Sequence, residues 1–152
     1  MASDAFTPVG FTPPTSLVTE QFRLEPLGPR HNLADHAAWT SSVEHIRATP
    51  GYPDGDWPPM SGMSLEANLA DLRRHAADFA AGKGFTFTVL DPVDDDVIGC
   101  VYLYPTRSAG HDVGVQSWVR ADRAELDTPL ADAVAEWIAV AWPWTRPYRY
   151  GR

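Results

Sequence analysis

Arg120 and Arg123 stand three residues apart, a spacing at which two guanidinium groups can clasp an anion with forked donors. Asp122 and Glu125 lie among them, so ordinary surface ion pairing is the alternative reading of the same residues. Tyr52, Trp57, Met60 and Met63 place large apolar side chains in a stretch rich in proline and glycine. Such a loop folds back over something: either it lines a substrate cleft or it caps the core. The histidines at 31, 36, 45, 75 and 111 show no metal-binding spacing such as His-Glu-x-x-His, and no metal is expected. Asp94-Asp95-Asp96 lacks the glycine and terminal glutamate of a calcium loop and reads as a solvated turn. Cys100 sits in an apolar run that suits an inert buried thiol better than a nucleophile. No serine occupies a Gly-x-Ser-x-Gly elbow, and no residue declares itself as catalytic.

The elements that must position these residues follow from periodicity. Residues 1–16 hold several prolines and glycines and read as an N-terminal arm. Alternation over Thr19–Leu27 predicts a strand. Leu33, His36, Trp39, Val43 and Ile46 share one face of a helix predicted from His31 to Ala48. Ser64 is placed to cap a second helix carrying Leu65, Leu69, Leu72, Ala76 and Phe79, and Gly82 to end it. Strands are predicted over Phe85–Leu90, Val97–Tyr104 and Val113–Arg120. Asp127-Thr128-Pro129 predicts a helix start with a capping side chain before a proline at the first helical position, and Trp142-Pro143 ends that helix. Tyr148–Tyr150 completes the set as a short strand. The order is β-α-α-β-β-β-α-β, an α+β fold with a mostly antiparallel twisted sheet flanked by helices, in a single domain over 17–152.

Composition removes several function classes. The 152 residues carry a net charge of −8 and one lysine, Lys83, which does not suit nucleic-acid phosphates. A single cysteine closes no intrachain disulfide. Neither a signal-like N-terminus nor a run of about 18 apolar residues is present, so the expectation is a cytoplasmic protein that does not enter a membrane.

Local sequence adds a resemblance. "LVTEQFRLEPL", "MSLEANLADL", "FTFTVLDPVDDDVIGCVYLYP" with its Ile98-Gly99 pair, and "VQSWVRADR" with Trp118-Val119 together resemble the GNAT acyl-CoA acyltransferases, over roughly Val18 to Arg123. The resemblance implies that the strand ending near Arg120 splays from the last strand. Acetyl-CoA or another acyl-CoA would then lie in the gap, near Trp118, Val119, Arg120 and Arg123. It places Tyr52, Trp57, Met60 and Met63 at the site of an acceptor amine, on a small molecule or a peptide. It also exposes departures. Where the family carries a glycine-rich phosphate loop, this chain reads Arg123-Ala-Glu-Leu126-Asp127-Thr-Pro129, with Leu126 replacing a glycine and two acids where phosphates would sit. Gly114 stands where many relatives carry a glutamate base, and the family's C-terminal helix and last strands have no counterpart. The resemblance therefore implies one of two functions. One is an N-acyltransferase; the other is a non-catalytic protein of the same fold, a ligand sensor or dimeric scaffold with a degenerate phosphate loop. Trp137, Trp142 and Trp144 read either as core or as a homodimer interface.

Overall fold

Thr19 turns the chain earlier than its alternating pattern predicts. Its hydroxyl accepts the Phe22 N–H at 3.0 Å and its own N–H donates to the Phe22 carbonyl at 2.8 Å. A side chain that bonds nearby backbone competes with strand pairing. The predicted strand over 19–27 is therefore a hairpin, β1 (Leu17–Val18) and β2 (Arg23–Pro26). The computed structural model describes residues 5–52 and 57–152.

β3 (Phe85–Leu90), β4 (Val97–Tyr104), β5 (Val113–Val119) and β6 (Pro147–Tyr148) extend this hairpin into a six-stranded sheet in chain order. Every neighbouring pair is antiparallel except β5 and β6. The Ile98-Gly99 pair has a steric reason. A Cβ on Gly99 would lie 2.4 Å from the Trp118 carbonyl oxygen, so β4 and β5 approach as they do only without a side chain there.

The first predicted helix is two, α1 (Asn32–Thr40) and α2 (Val43–Arg47). The break falls at Ser41-Ser42, where the Ser41 hydroxyl donates to the Ala38 carbonyl at 2.8 Å and the Ser42 hydroxyl accepts the Ala121 N–H at 2.8 Å. Trp39 and Ile46 are buried as expected, whereas Leu33 is 72% exposed. α3 (Leu65–Ala81) has the predicted ends: Ser64 accepts the Ala67 N–H at 3.0 Å and Gly82 takes φ +71°. α4 (Asp127–Ala141) differs at its start. A 3-10 turn over Ala121–Leu126 runs directly into it, no side chain caps it, and Pro129 is its third residue rather than its first.

The sheet divides the core. On one face Phe85, Phe87, Val101, Leu103 and Val119 pack beneath α4 with Trp137, Trp142 and Trp144. The N-terminal arm closes this side: Phe6 stacks on Trp144 at 4.6 Å and its carbonyl accepts the Trp144 indole N–H at 3.0 Å. The three tryptophans are thus core, covered from within the chain. On the other face Trp39, Ile46, Leu72, Cys100 and Trp118 pack beneath α1 and α3.

Candidate functional site

Period-two alternation in β4 and β5 sends Tyr102 and Gln116, paired across the two strands, to the face beneath α1 and α3. There they floor a cleft of about 280 Å³. Trp57 walls it and is the hub of an aromatic cluster, with ring centroids 5.4 Å from Trp39, 6.2 Å from Tyr52, 6.4 Å from Tyr102 and 6.1 Å from Trp118. Tyr52 and Trp57 line the cleft. Met63 packs behind the cluster, and Met60 lies outside, 64% exposed.

The chemistry of the cleft comes from residues that sequence reasoning passed over. Asp35 on α1 is 4% exposed and lines the cleft. Asn68 on α3 donates to its carboxylate at 3.1 Å, and no cation lies within ion-pair distance among the described residues. Asn68 is itself fixed: it donates to Asn32 at 2.8 Å and accepts the Trp39 indole N–H at 3.0 Å. Burial pushes the Asp35 carboxyl up to about 6, against the lowering effect of the Asn68 hydrogen bond. A carboxylate so placed holds a cation or takes a proton near neutral pH. One signal was available: Asp35 and Trp39 are an i, i+4 pair, so a buried Trp39 brings Asp35 to the same face.

His75 enters from α3, on the stripe that also holds Asn68 and Leu72. Its Nδ1 lies 3.0 Å from both the Tyr104 hydroxyl and the Thr86 hydroxyl. Tyr104 donates its own hydrogen to Asp78 at 2.9 Å, so its oxygen can only accept from His75. That network assigns the imidazole proton to Nδ1 and leaves Nε2 a lone pair. Burial lowers the imidazole pKa to about 4, and it is neutral at pH 7.

At the sheet edge, β6 pairs with Val113 and Gly114, so among the described residues β5 has no strand partner on that side from Val115 onward. The residues after β6 lie across this opening. Tyr150 takes φ +59°, its hydroxyl lying 3.1 Å from where a Gly114 Cβ would be and its ring 3.3 Å from where a Gly51 Cβ would be. Both Arg152 Nη atoms donate to the Asp127 carboxylate at 2.8 Å, and one also reaches the Ser117 carbonyl at 3.3 Å. The Tyr52 hydroxyl is buried without a hydrogen-bond partner among the described residues.

Solved structures share this architecture. The ribosomal-protein-S5-alanine acetyltransferase of Vibrio fischeri matches 82% of this chain and 67% of its own, at TM-score 0.60 and 16% identity. The ribosomal L7/L12 alpha-N-protein acetyltransferase RimL, solved with coenzyme A, matches 81% and 66% at TM-score 0.62 and 12% identity. The microcin C7 self-immunity acetyltransferase MccE, with acetyl-CoA and AMP, matches 88% and 72% at TM-score 0.61 and 10% identity. The fold is that of the GNAT acetyltransferases. By sequence the chain matches no family model and no curated relative. It spans about two thirds of the length of the first of these structures.

Against the GNAT fold, the four residues expected around acyl-CoA do not form one surface. Trp118 is buried behind the cleft, its indole N–H donating to the Tyr102 hydroxyl at 3.0 Å, and Val119 is buried in the core under α4. Arg120 donates to both Asp122 oxygens at 2.9 Å and to Asp96 at 2.8 Å, and Arg123 pairs with Asp91 at 3.0 Å. The Arg120 backbone N–H is also engaged, bonding the Ile98 carbonyl at 2.9 Å. The start of α4 is engaged from within the chain. The Asp127 N–H already bonds the Ala124 carbonyl, Pro129 has no N–H, and the Asp127 carboxylate occupies the position with Arg152. The cleft beneath α1 and α3 is thus open and lined by carboxylates and rings, while the start of α4 carries an ion pair of its own.

Proposed function

We propose that this chain is an N-acyltransferase that binds a cationic amine in the cleft and acylates it from a thioester donor. The observation that carries the reading is Asp35, a buried carboxylate without an ion-pair partner among the described residues, lining the cleft. Its pKa lies where a general base is effective, and it supplies from α1 the carboxylate that Gly114 cannot supply from β5. In the transfer, the ammonium first gives one proton to Asp35, which passes it on to water. The freed nitrogen lone pair bonds the thioester carbonyl carbon, the carbon–sulfur bond breaks, and the second nitrogen proton goes to the leaving sulfur, which departs as the thiol. The similar structures named for acetyl transfer to ribosomal proteins, and those solved with coenzyme A or acetyl-CoA, support an acyl-CoA donor and an amine acceptor.

The test is thiol release from acetyl-CoA and from a long-chain acyl-CoA over a panel of amines. Turnover that depends on Asp35 is expected; no release with either donor overturns the reading. A second reading is favoured by one observation, the Arg152–Asp127 pair across the start of α4. In it the chain binds its amine without transferring anything to it, as a sensor. A rise in melting temperature with an amine, and none with millimolar acyl-CoA, selects that reading.

A further inference from the structure

The amine reading rests on one carboxylate, but the whole lining of the cleft bears on which amine fits. Two carboxylates, Asp35 and Asp71, line it. Against them stands one guanidinium, Arg74, which is shared between Asp71 at 3.5 Å and Asp78 at 4.0 Å. His75 adds no charge at pH 7, because burial disfavours its imidazolium form. The two lining carboxylates outweigh the one lining guanidinium, so a ligand carboxylate entering here meets a net negative charge and the field of Asp35 at close range. The remaining walls are Leu27, Leu72 and the rings of Tyr52, Trp57 and Tyr102. Aromatic faces attract cations and pack against apolar bodies.

We infer that the cleft takes an organic amine whose positive charge is borne on an apolar or aromatic body and which carries no carboxylate. This rests on the amine reading of the cleft and narrows it: free amino acids are excluded, and compact arylalkyl or alkyl amines are selected. A volume of about 280 Å³ suits a ligand of that size.

Calorimetry without any acyl donor tests this with three probes of one body: 2-phenylethylamine, phenylalanine and 2-phenylethanol. The amine should bind at least about tenfold more tightly than either of the others, the scale of one lost charge contact. Asp35→Asn should bring the amine and the alcohol to within about twofold of each other. Trp57→Leu should weaken the amine several-fold while Trp57→Phe restores most of it, which separates ring contact from a folding defect. Equal binding of the three probes, preference for phenylalanine, or binding of none overturns the inference. Failure here is distinct from failure of the transferase reading. Amine binding without thiol release leaves this inference standing and removes the transferase; transfer to phenylalanine in preference to the amine does the reverse.

Discussion

Arg152 and Asp127 form a two-pronged ion pair, both Nη atoms within 2.8 Å of the carboxylate, across the start of α4. The helix end that would attract an anion is thus answered by a carboxylate of its own, and that carboxylate by a guanidinium. Breaking the pair on the acidic side frees a positive group beside the opening helix. Asp127→Ala should therefore strengthen coenzyme A binding by about tenfold, and Arg152→Ala should not, because it leaves the acid in place. Titration calorimetry with the two variants reads the difference. Equal affinity in both would show that this helix start is not where the nucleotide goes.

Asp35→Asn separates function from stability. The folded carboxyl has a pKa of about 6, above its ordinary value near 3.8, so ionising it opposes folding. The cost is absent below pH 4, grows through the interval up to 6, and is complete above it. Removing the charge should stabilise the fold at pH 8 by roughly 2 kcal/mol and leave it unchanged at pH 4. Turnover should fall by about two powers of ten or more. In the parent, activity should rise as pH increases through 6. The groups facing Asp35 are His31 and His36 from its own side, Asn68 and Asp71 from α3, and Cys100 from β4. Melting curves at the two pH values check the stability claim, and a flat difference would refute it.

Glu25 carries the opposite pH signature. Burial raises its pKa, but hydrogen bonds from Arg30 and His31 outweigh burial and hold the carboxyl at about 2. A folded pKa below the ordinary 4.5 means stability that is present above that value and lost as pH falls toward 2. Glu25→Gln should cost roughly 1 kcal/mol at pH 7, allowing for solvent screening, and progressively less in acid. Urea midpoints across that range measure it.

Gly99→Ala tests the packing of β4 against β5. The new methyl would sit 2.4 Å from the Trp118 carbonyl, a backbone atom that cannot rotate away. A loss of about 3 kcal/mol is expected, against a few tenths for Gly28→Ala, where nothing lies within 4 Å. Comparable unfolding midpoints for the two would contradict the account.

Much of the fold could be read from residues that act locally. Ser64 and Gly82 end α3 through their own conformations, and the alternation in β3 to β5 needs no knowledge of partners. What could not be read was decided over long distances in the chain. Asn68 is a polar residue in an otherwise apolar-faced helix, and only the arrival of Asn32, Asp35 and Trp39 explains its burial. The pairing of Arg120 with Asp122 was legible locally, whereas the other carboxylates that hold the two arginines, Asp96 and Asp91, come from the β3–β4 turn, more than twenty residues upstream. Ser41 and Thr19 misled through hydroxyls that interrupt a regular pattern without changing its apolar spacing.

The sheet also partitions the protein optically. Trp39, Trp57 and Trp118 lie on the cleft side, and Trp137, Trp142 and Trp144 lie beneath α4. A guest in the cleft perturbs the emission of the first three directly and leaves the second three as an internal standard, whereas denaturation changes all six together. Occupancy and unfolding thus leave different spectral fingerprints in one unlabelled sample.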